Sequence, residues 1–177
     1  MKLIILDRDG VINFDSADFI KSPDEWMPIP GSLEAIARLN RADYTVVVAT
    51  NQSGVGRGLF SLDTLHQIHE KMQQELARAG GKIDAIFFCP HAPDDHCACR
   101  KPKPGLLLEI AKKYNCDLKD VPAVGDSLRD IEAAQTVGAR PVLVRTGKGE
   151  EVVKNGKLPT GVKVYDDLAA FVGESLE

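Results

Sequence analysis

The sequence LDRDGVIN places two carboxylates, Asp7 and Asp9, two residues apart at the end of an apolar run. In extended backbone, positions i and i+2 face the same side. Two anions so close repel each other, and a divalent cation is the usual remedy. A third carboxylate, Asp126 in VGDSLRD, follows another apolar run. Three oxygen ligands with room for water suit Mg²⁺, which keeps several waters and binds substrate phosphate. An isolated DxD is more often a solvated turn. Gly10 after it, the apolar run before it and the partners downstream favour the metal reading.

Two further segments fit an anionic ligand. Thr50 and Asn51 end the run TVVVATN and precede Gln52, Ser53, Gly54 and Gly56. A hydroxyl and backbone N–H groups where a strand passes into a helix can cradle phosphate oxygens. Equally, a Thr often ends a strand, and the glycines would also serve a plain turn. The second segment is Cys99–Gly105, CRKPKPG. Lys101 there would stabilise charge on a phosphoryl group, and Arg100 can grip an anion bidentately. A solvated basic loop is the alternative.

Cys89, His91, Cys97 and Cys99 form the pattern Cys-x-His-x5-Cys-x-Cys. Thiolates with an imidazole favour tetrahedral Zn²⁺, and four protein ligands leave no open position, so the ion would be structural. His96 rivals His91 as the nitrogen ligand, and Cys89 also fits a core position. Cys116 has no ligand neighbours and reads as structural or incidental.

These residues need a scaffold that brings them together. Short β-branched runs at Lys2–Asp7, Thr45–Thr50, Ala85–Cys89, Ala123–Gly125 and Pro141–Arg145 read as strands buried on both faces, with a weaker sixth at Val162–Tyr165. Helical stripes lie between them. One follows Ser32 as N-cap, one runs from Leu62 to Leu76 after Ser61, one opens at Pro104, and one carries Ile131, Ala134 and Val137. Alternating strands and helices imply parallel pairing by right-handed crossovers, hence a three-layer α/β sandwich with a mostly parallel sheet. Residues 1–177 read as one domain, with loops at 13–31 and 89–104 too short to fold separately. Ligands in such sheets bind beyond the carboxyl ends of the strands. Asp7, Thr50 and Asp126 all fall there.

Composition narrows the function classes. A formal charge of −4 argues against a surface built for nucleic acid or anionic membrane. No apolar run nears the ~20 residues of a membrane span, and no signal peptide is legible. A cytoplasmic protein is expected, with its clustered cysteines holding metal before forming disulfides.

Four segments in order, DRDG at 7–10, the Thr50 segment, KPKP at 101–104 and GDSLRD at 125–130, resemble the haloacid dehalogenase (HAD) superfamily of phosphohydrolases. The stretches LDRDGVIN, VATNQSGVGRG, FCPH, CACRKPKPG, VGD and LVRTGK are similar to its heptose-bisphosphate phosphatase branch over nearly the whole chain. The resemblance implies a HAD-like fold without a large cap domain and a Mg²⁺-dependent phosphatase acting on a small sugar bisphosphate. It would remove the 7-phosphate of D-glycero-D-manno-heptose 1,7-bisphosphate, within nucleotide-heptose synthesis for lipopolysaccharide core or S-layer.

By that resemblance Asp7 is the nucleophile, forming an aspartyl phosphate, and Asp9 is acid then base. Mg²⁺ sits on Asp7, the Asp9 carbonyl and Asp126, with Asp130 supporting. Thr50 and Lys101 hold the phosphoryl group, helped by Asn51, Gln52 and Ser53, while Arg100 recognises substrate. A zinc-stiffened loop would hold Arg100 and Lys101 over the site. Ser127 departs from relatives with lysine there.

Several residues carry two readings. His66 and His69 read as ordinary helix residues. Trp26 walls the pocket or packs its loop. Arg57 meets a phosphate or decorates a turn, Lys148 reads as a turn residue, and Asp15, Ser16 and Asp18 lie where relatives contact the sugar. The nearest rival enzyme is a histidinol-phosphate phosphatase. A receiver domain is disfavoured because the third strand ends in Cys89-Pro90-His91, and an inactive phosphatase fold used for binding is disfavoured by the intact polar set. A monomer is expected.

Overall fold

A computed structural model describes residues 1–177. Six strands form one parallel sheet: β1 (Leu3–Leu6), β2 (Thr45–Asn51), β3 (Ala85–Cys89), β4 (Pro122–Gly125), β5 (Arg140–Val144) and β6 (Lys163–Tyr165). Their order across the sheet is β3-β2-β1-β4-β5-β6. Seven helices connect them: α1 (Ser32–Arg41), α2 (Ser53–Gly56), α3 (Leu62–Arg78), α4 (Gly105–Tyr114), α5 (Leu128–Thr136), α6 (Gly149–Lys154) and α7 (Leu168–Ser175). No helix is long and apolar enough to cross a membrane.

The two-residue period of a strand divides its side chains between two cores. Ile4 and Leu6 of β1 with Val46 and Val48 of β2 enter the larger one, against α1, α3 and α7. Leu3 and Ile5 with Val47 and Ala49 enter the other, against α4 and α5. Helices on both faces make the expected three-layer sandwich. β1 and β4 are buried throughout, as an interior parallel strand should be, whereas the edge strand β3 is half-buried along most of its length.

All six expected strands are present, with ends shifted by at most one residue. The helix starts differ more. Ser61 caps α3 as read, accepting from Thr64 N–H. Ser32 does not cap α1: Gly31, at φ 88°, takes that place, and the Ser32 hydroxyl donates to the Val11 carbonyl 2.8 Å away. Pro104 is likewise the cap of α4 and not its first helical residue. The helices α2, α6 and α7 lie outside the stripes read from sequence. The first two are only four and six residues long, too short for a helical period to register.

Candidate active site

The strand order reverses direction at β1, whose two neighbours β2 and β4 belong to opposite halves of the sheet. Such a switch point opens a crevice at the carboxyl ends of the strands. Asp7 leaves β1 and Asp126 leaves β4, and the Asp7 N–H donates to Val124 O at 2.9 Å. Ligand oxygens of Asp7, Asp126 and Asp130 all lie within 4.8 Å of one another. Glycine makes room for this group. A Cβ on Gly10 would stand 2.0 Å from Asp126 Oδ2, and one on Gly147 2.2 Å from the same atom. The Lys148 N–H then fixes that oxygen at 2.9 Å.

One buried cation faces these three anions. Lys101 Nζ lies 2.6 Å from Asp130 Oδ1, 3.3 Å from Asp7 Oδ1 and 2.8 Å from Ala49 O. Its loop is pinned by Asn51, whose amide exchanges hydrogen bonds with the Lys101 main chain at 3.0 and 3.1 Å. Burial alone would push Asp130 up, but Lys101 and the donors from Ser127 hold it below the usual carboxylate range. Asp7 gains less from Lys101. Burial, then Asp130 and Asp9, push it up to about 7. Asp126 is raised as well, by burial and by Asp7 and Asp130. Three clustered carboxylates with a single ammonium leave a surplus of negative charge that a hard divalent cation fits.

Asp9 lines the same cleft, but its carboxylate has other partners. Its Oδ1 accepts from Arg8 Nη2 at 2.7 Å, Arg8 Nε at 3.0 Å and Asn13 Nδ2 at 2.9 Å, and its Oδ2 accepts from Gln52 Nε2 at 3.0 Å. Burial works against the charged form, but Arg8 and these donors outweigh it and lower the pKa. The Asp9 side chain is therefore not among the three clustered carboxylates. The two aspartates of one DxD are thus held in opposite electrostatic states, one destabilised as an anion and one stabilised.

A cleft of about 260 Å³ opens over this floor, walled by Ser53, Arg57, Arg100, Arg129 and Lys148 among others. Nη1 of Arg100 is buried without a hydrogen-bond partner. Asn51, Gln52, Ser53 and Lys101 line the cleft as the sequence anticipates, and Thr50 does not. Thr50 is buried behind Gln52, accepting from its amide at 3.0 Å. Asp15 and Ser16 reach the cleft, and Lys148 Nζ stands 3.9 Å from Asp15 Oδ2 across it. Trp26 is fully buried in the core and walls nothing.

Three residues of this neighbourhood escape a sequence reading: Arg129, which walls the cleft, and the buried pair Arg8 and His69. Arg8 is fully buried, and its Nη1 lies 3.1 Å from His69 Nε2 on α3. His69 is thus no ordinary helix residue. Burial and the Arg8 charge lower its pKa to about 3, so the ring is neutral. A signal was present, since His69 stands four after Leu65 and three before Met72, on the apolar stripe itself.

The second cluster is the expected one. Cys89 Sγ lies 2.9 Å from Cys99 Sγ, 3.5 Å from Cys97 Sγ and 3.4 Å from His91 Nδ1. All four ligand atoms fall within 4.8 Å, and His96 is not among them. Three sulfurs and one nitrogen converging this closely fit a closed tetrahedral zinc site. Cys89 also packs in the core, so both of its readings hold. The glycines nearby serve close approach: a Cβ on Gly56 would meet Pro90 O at 2.7 Å, and one on Gly105 would meet Ala98 O at 2.3 Å. The loop runs directly into Arg100 and Lys101.

Comparison with known proteins agrees with this geometry. Residues 98–171 match the HAD-hydrolase-like family model. The chain is 60% identical over 177 residues to a D-glycero-β-D-manno-heptose-1,7-bisphosphate 7-phosphatase of Bordetella bronchiseptica, covering 100% of this chain and 99% of the relative. It is 54% identical over 174 residues to the enzyme of that name from Pseudomonas putida, covering 98% and 99%. The crystal structure of the B. bronchiseptica D,D-heptose 1,7-bisphosphate phosphatase, complexed with magnesium and phosphate, superposes with a TM-score of 0.98 at 61% identity, covering 99% of this chain and 98% of that one.

Proposed function

The chain belongs to the heptose-1,7-bisphosphate 7-phosphatases of the HAD-like hydrolases, and from that premise we propose that it removes the 7-phosphate of the β anomer of D-glycero-D-manno-heptose 1,7-bisphosphate. The observation that carries the reading is the division of charge in the cleft. Its floor is the Asp7, Asp126 and Asp130 cluster with Lys101, where one phosphate meets a metal ion. Its walls carry Arg57, Arg100, Arg129 and Lys148, with Nη1 of Arg100 buried and unpaired. A second phosphate at the far end of a short sugar would meet these cations, whereas a distal cationic amine would be repelled.

In this reading Asp7, Asp126 and the Asp9 main-chain carbonyl hold Mg²⁺, and Asp130 fixes Lys101 and the Asp126 N–H beside them. The bound ion supplies positive charge that offsets the carboxylates and the phosphate oxygens. An Asp7 carboxylate oxygen attacks phosphorus, and the bond from phosphorus to the ester oxygen breaks. Asp9, ionised in the resting site, takes up a proton from solvent as the anionic phosphate binds beside it, and gives that proton to the departing alkoxide. Water then attacks the aspartyl phosphate, Asp9 takes the proton, and the phosphorus–Asp7 bond breaks to release inorganic phosphate. One residue serving as acid and then base splits a hard displacement into two easier ones. Lys101 neutralises oxygens of the transferring group, and Asn51 positions Lys101. Gln52 acts by orienting Asp9, and Thr50 by orienting Gln52.

The zinc cluster does no chemistry in this account. It stiffens the loop that delivers Arg100 and Lys101, a job the larger cap domains of other HAD enzymes leave open here. We take residues 1–177 as one phosphatase domain, because a single sheet runs through it. The large exposed apolar side chains are few, which supports a monomer, and the free cysteines suit a reducing cytoplasm.

The test is phosphate release with Mg²⁺ from both anomers of the bisphosphate, histidinol phosphate and an aryl phosphate, with Asp7→Asn as control. Preference for the β-bisphosphate, abolished by the substitution, is expected. Preference for histidinol phosphate would overturn the substrate, and turnover surviving Asp7→Asn would overturn the mechanism.

A further inference from the structure

We propose that His69 is a positioning residue for the acid–base step, acting through the buried Arg8 to hold the Asp9 carboxylate in its working orientation. The inference rests on the role given to Asp9 above. Arg8 is fully buried and its guanidinium is divided between two tasks. Nε and Nη2 converge on one oxygen of Asp9, at 3.0 and 2.7 Å. Nη1 points the other way, to His69 Nε2 at 3.1 Å. A planar guanidinium fixes its N–H directions relative to one another. Anchoring Nη1 therefore sets the angle at which the other two reach Asp9.

The anchor is itself rigid. His69 is 6% exposed and sits on the core stripe of α3 between Leu65 and Met72. Its ring is tilted against Phe88 of β3, 6.2 Å between centroids. For Arg8 to donate, Nε2 must be the unprotonated nitrogen, which places the ring proton on Nδ1. A neutral ring can be that acceptor, and an imidazolium cannot.

The consequence for Asp9 is a division of its two oxygens. Oδ1 is held by three donors from Arg8 and Asn13, while Oδ2 has one, from Gln52. Oδ2 is accordingly the oxygen with capacity left for a proton in transit. Its direction is set on one side by Gln52 and on the other by the Arg8–His69 pair. A small misplacement of a catalytic group is costly, on the order of 100-fold for about 1 Å.

Replacing His69 by leucine keeps a buried apolar side chain and removes the acceptor. Replacing it by glutamine keeps an acceptor oxygen near the place of Nε2. The experiment measures kcat/KM of the Mg²⁺-loaded, zinc-loaded enzyme on a series of phosphate esters from nitrophenyl through phenyl to alkyl. Protonation of the leaving group matters little for nitrophenolate and greatly for an alkoxide. His69→Leu is expected to lower kcat/KM for the alkyl ester by about 10- to 100-fold and for the nitrophenyl ester by less than about 3-fold, within what general acid catalysis contributes. His69→Gln should restore the alkyl ester to within about 3-fold of wild type. Arg8→Met should reproduce the His69→Leu pattern, and the double variant should lose no more than Arg8→Met alone, because both act on one carboxylate.

Asp9→Asn separates the two levels of the argument. If Asp9→Asn is strongly leaving-group dependent and His69→Leu lowers all esters equally, the proposal fails and the role of Asp9 stands. If Asp9→Asn itself shows no such dependence, that role fails and this inference falls with it. Should His69→Leu not fold, His69→Phe, also apolar and without an acceptor for Arg8, takes its place, and equal losses on all esters there would refute the proposal. Equal losses on all esters in Arg8→Met would refute the chain.

Discussion

Replacing the nucleophile should stabilise the metal-free protein, and the size of the gain follows from the charge around Asp7. Burial and the neighbouring Asp130 and Asp9 hold the Asp7 carboxyl at about 7, against 3.8 for a free aspartate. Below pH ~4 the group is protonated in both folded and unfolded chains and costs nothing. As pH rises the unfolded chain ionises first, and the stability of the fold falls until Asp7 itself ionises near 7. At about 1.4 kcal/mol per pH unit, the loss is roughly 1 kcal/mol at pH 4.5 and about 4 kcal/mol at pH 8.

Asp7→Asn removes the titrating group while keeping an oxygen for the Arg8 N–H. Lys101 keeps its shorter pair with Asp130. The assay is urea unfolding of both proteins in Mg²⁺-free buffer with zinc retained, from pH 4.5 to 8. The variant should gain on the order of 2–4 kcal/mol at pH 8 and little at pH 4.5. Saturating Mg²⁺ should then stabilise wild type more than the variant, since only wild type presents the full anionic cluster. No gain at pH 8, or a gain independent of pH, would refute the charge argument.

Three further outcomes follow from particular contacts. In Gly147→Ala the new Cβ would fall 2.2 Å from Asp126 Oδ2 and 2.7 Å from Gly10 Cα, at a φ of 59°, so a Mg²⁺ titration of phosphate release should need at least about 10-fold more metal, given about 1–2 kcal/mol of left-handed strain on top of the clash. Arg100→Gln should cost the bisphosphate about 10- to 100-fold in kcat/KM, the equivalent of a charged hydrogen bond of about 1.5–3 kcal/mol, while an aryl monophosphate stays within a few-fold; equal losses on both would show that Arg100 does not bind the distal phosphate. Removing zinc, or replacing Cys99 by Ala, should raise hydrogen exchange in residues 90–104 and lower turnover with the sheet intact, and an unchanged loop with normal turnover would end the structural role given to the metal.

The local patterns of the sequence contained the scaffold and most of the floor of the site. Short β-branched runs fixed where strands fall, because a strand buried on both faces needs apolar side chains at every position. The polar residues directly after them, Asp7, Asn51 and Asp126, were legible as site residues, since a parallel sheet gathers its strand ends on one edge. The zinc ligands were legible from their types, because soft donors crowded into eleven residues, Cys89 to Cys99, have few other uses.

Relations between distant residues were decided only by folding. The Arg8–His69 contact spans 61 positions and the Asn51–Lys101 exchange spans 50, and no period or motif encodes such a pairing. Thr50 sits behind Gln52, Ser32 yields its capping place to Gly31, and the two aspartates of DRDG part ways in charge. Each outcome depends on which groups packing brings within about 3 Å and which it shields from water. Sequence names the chemistry each residue can do; the protonation state and partner it does it with are properties of the assembled core.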